Sequence, residues 1–232
     1  MAANQATTHF GGFPRELFTF LEGLEADNSK TYWDANKSIW ETSVREPVEA
    51  LMADLEPEFG PLRTFRPNRD VRFSKDKSPY KTWVGVTTSE RSVGGIGCFL
   101  RLEASGMRLA CGSMVMASDQ IERFRANIDN AAFGAEFDEI ARQLAADGLP
   151  VGPGRQPPLM RTPSGYAKDH PREAMLRWKG AVVVKEYERA AWMYEPTAVD
   201  KIREVWSGAA PLTKWIEKYV GESTIPARRR GD

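Results

Sequence analysis

The chain has 232 residues, of which 41% are hydrophobic, and its 32 basic side chains are balanced by 32 acidic ones. This length supports a buried core without cross-links, and zero net charge removes any whole-chain argument for binding nucleic acid or an anionic membrane, so such binding would depend on a local patch. No run of about 18 apolar residues and no signal peptide occurs, so we expect a cytoplasmic protein with no membrane contact. Its two cysteines are then expected to be reduced thiols.

The first part of the chain is predicted to be helical after a short arm. Residues 1–12 are small and polar, and are expected to form a flexible arm. Pro14 begins a segment whose apolar residues follow helical spacing, and Ser29 is placed to cap the next helix. Pro47 is predicted to start another helix, because proline is well tolerated in a first helical turn.

A β-hairpin is predicted in the middle of the chain. Residues 97–103 alternate between apolar and polar side chains, and residues 107–115 form the partner strand. Ala104-Ser105-Gly106 suits a three-residue loop with glycine at the left-handed position. In that register Cys98 faces Gly112, whereas a two-residue loop would pair Cys98 directly with Cys111.

The remaining segments complete an α+β pattern. Helices are predicted from Ser118, over Glu136–Ala146, from Pro171, from Pro196 and after Gly208, with an irregular loop at 150–165 and a strand at Val182–Val184. The predicted fold class is α+β, with an antiparallel sheet packed with several helices in one domain. That domain spans residues 13–220, and residues 221–232 are expected to form a flexible basic tail.

Familiar catalytic and cofactor motifs do not occur. Two cysteines and two histidines are too few for a CxxC-type zinc cluster, and HExxH is missing. The sequence also lacks GxSxG, GxGxxG and GxxxxGK[ST], which mark common nucleophile and nucleotide sites. We therefore expect no metal and no cofactor, and the sequence leaves open whether the protein is an enzyme and how it assembles.

The most unusual stretch is the block from Arg63 to Lys81, which contains seven basic and two acidic residues. Basic side chains recur at every third position from Arg63 to Lys75. Pro67 argues against one helix, whereas an extended polyproline-like run would line them along one edge. Because neighbouring cations repel each other, they are either solvated and paired with acidic side chains, or they bind an anion. Arginine side chains and backbone N–H groups suit phosphate or carboxylate.

The segment Arg69–Thr82 reads RDVRFSKDKSPYKT, and it resembles the defining motif of a family of conserved hypothetical proteins, mainly bacterial with fungal relatives. Segments elsewhere resemble the same family in the expected order: Phe20–Trp33, Gly112–Arg125, Arg161–Pro171 and Pro211–Ile216. The resemblance covers roughly residues 13–220. It implies an α+β fold, and because the family is a domain of unknown function, it implies no activity.

The segment from Arg161 to Pro171 is the second candidate region. Pro171 in a first helical turn allows Asp169 or His170 to cap that helix, which is a structural role. If the protein performs acid–base chemistry near neutral pH, His170 is the natural titrating group. The sequence leaves open both the structural role as a cap and the role in acid–base chemistry.

The leading hypothesis is the binding of a small anionic or phosphorylated ligand in a basic cleft, with the two candidate regions side by side. The candidate catalytic residues are His170, Asp70 and Asp76, and the candidate ligand-binding residues are Arg69, Arg72, Lys75, Lys77, Tyr80, Lys81, Arg161 and Tyr166. One alternative is a non-catalytic module that binds nucleic acid or protein. Another is a structural charge lock, which requires the motif's charges to be buried in pairs.

Overall fold

The structure is a computed structural model, and it describes residues 9–72, 74–90 and 93–226. Its strands are β1 (Arg63–Thr64), β2 (Trp83–Thr87), β3 (Gly97–Glu103), β4 (Gly106–Ser113), β5 (Val151–Gly152) and β6 (Ala181–Glu188). They form one sheet in the order β1-β2-β3-β4-β6-β5. β1 runs antiparallel to β2 with Arg63 opposite Thr87, and β5 runs antiparallel to β6 with Val151 opposite Val183. The predicted α+β class with an antiparallel sheet is confirmed.

The β3–β4 hairpin differs from the prediction in its loop. The loop has two residues, Ala104 and Ser105, and Gly106 already belongs to β4. Gly106 cannot carry a side chain, because a Cβ there would collide with the carbonyl of Tyr187. The shorter loop shifts the register by one residue and places Cys98 beside Cys111, with their Cα atoms 4.1 Å apart. The two cysteines form a disulfide, so the predicted three-residue loop and reduced thiols were both wrong.

Helices make up most of the remaining chain. They are α1 (Arg15–Ala26), α2 (Lys30–Ala35), α3 (Lys37–Ile39), α4 (Glu46–Phe59), α5 (Ser118–Asp129), α6 (Ala131–Ala146), α7 (Glu173–Leu176), α8 (Ala198–Gly208) and α9 (Ala210–Tyr219). A π-helical segment, Trp40–Arg45, joins α3 to α4, and a 3-10 turn covers Ala191–Tyr194. In the part of the chain that the structure describes, no helix has the length and hydrophobicity needed to cross a membrane.

The predicted helix starts were partly right. Ser29 caps α2 as expected, because its hydroxyl accepts the backbone N–H of Tyr32 at 3.1 Å. Ser118 is not a cap but the first residue of α5, where Gln120 instead accepts the backbone N–H of Ala117 at 3.0 Å. The helix α4 begins at Glu46 with Pro47 in its first turn, as expected, and it follows directly on the π-helical segment.

The chain divides into two units, and the first comprises the residues up to Thr88 with Leu100–Arg108 and Glu186–Glu204. Its core includes the apolar faces of two helices: Leu17, Phe18, Phe20, Leu21 and Leu24 of α1, and Val48, Leu51 and Leu55 of α4. Part of the expected arm is packed here, because Phe10 is buried and its N–H donates to Asp54 at 3.0 Å. The remainder of the arm, residues 1–8, lies outside the described residues.

The second unit comprises Ser89–Phe99, Leu109–Lys185 and the residues from Val205 onward. Its core contains an aromatic cluster in which the rings of Phe124 and Phe137 lie 6.1 Å and 4.8 Å from Trp215. The start of the expected tail is also packed, because Ser223 is buried and donates to Asp119 at 2.8 Å. The tail residues 227–232, with the arginines at 228–230, lie outside the described residues.

Candidate functional site

The family motif forms a short two-stranded ribbon in the first unit. The N–H of Arg69 donates to the carbonyl of Pro79, and the N–H of Lys81 donates to the carbonyl of Pro67, each at 2.8 Å. The side-chain amide of Asn28 extends this pairing, because it donates to the carbonyl of Tyr80 at 3.1 Å and accepts its N–H at 3.0 Å. The ribbon therefore fixes both ends of the intervening loop, which we call the basic loop (residues 70–78).

Aromatic stacking holds the same ribbon against the helices. The Tyr80 ring is buried and lies parallel to the Trp33 ring, with centroids 4.3 Å apart and an interplanar angle of 9°. Trp33 in turn lies 4.9 Å from Trp40 and 5.8 Å from Phe20. The buried Tyr80 ring stabilises the fold through this stacking, and its contact with a ligand stays a prediction.

The charges of the basic loop pair with each other. Arg72 binds Asp70 through two hydrogen bonds of 3.0 Å and 2.9 Å, and Arg69 forms an ion pair with Asp76. Asp76 also accepts the hydroxyl and the N–H of Ser78, at 2.6 Å and 2.9 Å. Hydrogen bonds from Ser78 and Arg69 hold the pKa of Asp76 well below its usual range. Both arginines thus already have carboxylate partners within the loop.

The lysines of the motif fall into two groups. Lys77 donates to the carbonyl of Val71 at 2.9 Å, and Lys81 donates to the carbonyls of Arg66 and Asn68. Lys75 is exposed and forms no ion pair with any residue that the structure describes. The structural charge lock requires the charges of the motif to be buried in pairs. The arginines and aspartates of the motif are paired, but the pairs are exposed and join residues of the motif to each other.

His170 lies in the second unit, where both of its ring nitrogens are engaged. Its Nδ1 accepts the backbone N–H of Arg172 at 3.0 Å, so the ring proton resides on Nε2, which lies 3.3 Å from Asp129. This geometry caps the turn that precedes α7, as the sequence allowed. Nε2 of His170 therefore faces Asp129, while Nδ1 faces the backbone of Arg172.

Arg172 supports this arrangement from behind. Its guanidinium binds Asp138 of α6 at 2.6 Å and the carbonyl of Ile128 at 3.3 Å, and its side chain is only 14% exposed. Gly134 makes room for it, because a Cβ at that position would lie 2.6 Å from a terminal nitrogen of Arg172. The backbone N–H that orients His170 is therefore anchored to two helices.

Arg125 is the side chain that the list of candidate residues missed. It lies half-buried on α5, and its Nε donates to the carbonyl of Leu176 at 2.8 Å. Among the described residues no carboxylate pairs with Arg125, and its terminal nitrogens have no hydrogen-bond partner. These nitrogens are not fully buried. Burial lowers the pKa of Arg125. Asp129 is its i,i+4 neighbour, which would ordinarily pair with it, but Asp129 turns to His170 instead.

Tyr166 completes what we call the Arg125 site, which consists of Arg125, Asp129, Tyr166 and His170. Burial raises the pKa of Tyr166, and the charge of Asp129 raises it further while the charge of Arg125 opposes this rise. The phenol therefore remains a hydrogen-bond donor at neutral pH. Arg161 is exposed and forms no ion pair within the described part of the chain.

The predicted site residues thus divide between the two units. The first unit holds Arg69, Asp70, Arg72, Lys75, Asp76, Lys77, Tyr80 and Lys81, and the second holds Arg161, Tyr166 and His170. Asp129 lies 3.3 Å from His170 and its charge acts on the pKa of Tyr166, while the residues of the motif form their own network of pairs. The joining of both regions in one cleft stays a prediction.

Comparison with known proteins identifies the chain by family. The sequence model of the conserved hypothetical proteins DUF2461 matches residues 16–215, so the chain belongs to this family. No curated protein and no solved structure matches the chain.

Proposed function

We propose that this member of the DUF2461 family binds a small anion, a carboxylate or a phosphate group, at the Arg125 site. The observation that carries the proposal is Arg125 itself, a half-buried guanidinium that has no carboxylate partner among the described residues. Removing a cation from water without a partner is unfavourable, and an anionic ligand would offset that cost. The planar fork of arginine also matches both carboxylate and phosphate oxygens.

The neighbouring side chains suit the same ligand. Tyr166 retains its proton and can donate to an anionic oxygen, as the terminal nitrogens of Arg125 can. Asp129 is held away from Arg125 by His170, which prevents it from closing the site as an internal ion pair. In this proposal His170 is a positioning residue, because both of its nitrogens already have partners and no free lone pair remains for a base.

The basic loop has a different role in this proposal. Because Arg69 and Arg72 already bind Asp76 and Asp70, an anion would have to displace a bound carboxylate to reach them. We also propose a cytoplasmic location. Because Cys98 and Cys111 form a disulfide, reduced thiols cannot be used to support this location. Exposed ion pairs contribute little stability, so the loop's order depends mainly on the ribbon, Asn28 and Tyr80.

Thermal unfolding in the presence of anions tests the proposal. Inorganic phosphate and acetate are titrated at constant ionic strength, with chloride as the reference anion. A ligand that binds only the folded state at about ten times its Kd adds about 1.4 kcal/mol, which corresponds to about 4 °C for a chain of this size. The Arg125→Met variant should lose that shift.

Arg142→Met is the matched control, because Arg142 is an exposed arginine on α6 that is paired with Glu139. It should retain the full anion shift, and so should Arg72→Met. If Arg125→Met keeps the shift, or if neither anion raises the melting temperature above chloride, the Arg125 site does not bind a small anion.

A further inference from the structure

Within the first unit, β1, β2 and the part of β3 from Leu100 onward present two chemically different faces. Val84, Val86, Leu100 and Leu102 are buried on one face. Trp83 and Arg101 alternate with them and remain partly exposed on the other. A strand places successive side chains on opposite faces, so this second face is formed by the residues that the core does not use.

Cations and aromatic rings interleave on this second face. The guanidinium of Arg63 lies 5.2 Å from the ring centroid of Phe65, and that of Arg101 lies 4.9 Å from the ring of Trp83. The ammonium of Lys81 lies 5.8 Å from the same indole, and Phe65 meets Trp83 edge-on at 5.6 Å. We call this set, Arg63, Phe65, Lys81, Trp83 and Arg101, the basic–aromatic face.

The charge of the surrounding surface is strongly positive. The basic–aromatic face with the loop between β1 and β2 contains eight basic side chains and two acidic ones, Asp70 and Asp76, and Glu103 lies beside Arg101 at the end of β3. All three acids are already paired, with Arg72, Arg69 and Arg101. Arg66 and Lys75 are exposed and, within the described residues, have no ion pair. This concentration contrasts with the zero net charge of the whole chain.

We infer that the basic–aromatic face binds single-stranded nucleic acid. A positive strip attracts phosphates, and indole rings and guanidinium planes stack on bases, a combination that single strands satisfy because their bases are unpaired. A duplex would also interact with the charges, but its paired and stacked bases would not be accessible for stacking on the rings. An acidic peptide would interact with the charges but has no bases to stack on the rings. This site is separate from the Arg125 site, and neither proposal depends on the other.

Fluorescence anisotropy with a labelled oligothymidylate of about 15 nucleotides tests the inference, since single-strand sites span about 4–16 nucleotides. The oligothymidylate should bind more tightly than a duplex of equal length. Its log binding constant should fall with log salt concentration at a slope of about −2, which corresponds to about three phosphate contacts. Equal or tighter binding of the duplex would overturn the inference, as would equal competition by polyglutamate.

Variants separate stacking from charge. Trp83→Leu should weaken binding about tenfold with an unchanged salt slope, whereas Trp83→Phe should retain most of the affinity. Lys75→Ala should reduce the slope by about 0.7. Lys214→Ala, an exposed lysine of α9, is the control and should change neither. If Trp83→Leu does not melt cooperatively, Phe65→Leu replaces it. An affinity loss no larger than that of Lys214→Ala in the folded variant would refute the role of stacking.

Discussion

The basic loop and the Arg125 site handle positive charge in opposite ways. Arg72 in the loop and Arg69 at its start each bind an aspartate a few residues away, so this run of charged residues neutralises much of its own charge. In the second unit, Arg125 lies half-buried with an aspartate one helical turn away, yet that aspartate binds His170. The region with more charge therefore has its arginines paired with carboxylates, whereas Arg125 has no carboxylate partner among the described residues. The density of basic residues along the chain does not show which of them are paired, because pairing depends on the fold.

The largest expected effect concerns the anchor of the ribbon. Tyr80→Ala removes a buried ring stacked on Trp33, and should lower the free energy of unfolding by about 3 kcal/mol. Chemical denaturation measures this loss. Tyr80→Phe keeps the ring and serves as the control, with an expected change below about 1 kcal/mol. Equal losses for the two variants would mean that the ring does not anchor the ribbon.

A pair of arginine variants sharpens the comparison within the second unit. Arg172→Met breaks an ion pair of a largely buried side chain, and should cost about 2 kcal/mol in ligand-free buffer. Arg125→Met removes a cation that has no carboxylate partner among the described residues, so its cost should stay below about 1 kcal/mol. Denaturant titration of both variants measures the difference. A larger loss for Arg125→Met would show that Arg125 is a structural residue.

Asn28 should contribute through its two hydrogen bonds to the Tyr80 backbone. Asn28→Ala leaves that N–H and carbonyl without their side-chain partner, and should lower the free energy of unfolding by about 1–2 kcal/mol. Asn28→Asp keeps an acceptor but loses the donor. Hydrogen exchange at the Tyr80 amide should therefore accelerate in the alanine variant more than in the aspartate variant. Equal exchange in both would argue against the pairing.

The smallest effect concerns pH and the exposed pairs of the basic loop. The pKa of Asp76 is lowered in the folded state, so its contribution is fully present above its unfolded pKa of about 4 and is lost as pH falls below that value. Asp76→Asn should remove this pH dependence and change the melting temperature little near pH 7. Melting curves from pH 7 to about pH 2 check this, and identical acid sensitivity of both proteins would contradict it.

Asp119 is a second carboxylate whose response to acid can be measured. Partial burial raises the pKa of Asp119, but hydrogen bonds from Thr224, Ser223 and Arg123 outweigh it and hold that pKa well below its usual range. Its loss of stabilisation in acid therefore has the same sign as that of Asp76. Because Asp119 holds the segment after α9, acid should expose residues 223–224 to proteolysis before the ribbon opens.

Local patterns in the sequence determined much of the fold. The apolar residues alternate in residues 97–103 and follow helical spacing after Pro14, and both patterns show which side chains are buried on folding. Ser29 caps a helix through a local hydrogen bond. These features depend on neighbours in the chain. The basic motif was also visible from the sequence, because its residues lie close together along the chain.

Tertiary structure decided the points that depend on distant partners. One residue of loop length set the register that joins Cys98 to Cys111, because a shift by one residue turns every side chain to the other face. Arg125 and Asp129 have helical spacing typical of an ion pair, yet Asp129 lies 3.3 Å from His170, which is 41 residues further along the chain. The sequence shows which charges exist, whereas the fold decides which of them find partners, because pairing depends on distances of a few ångströms.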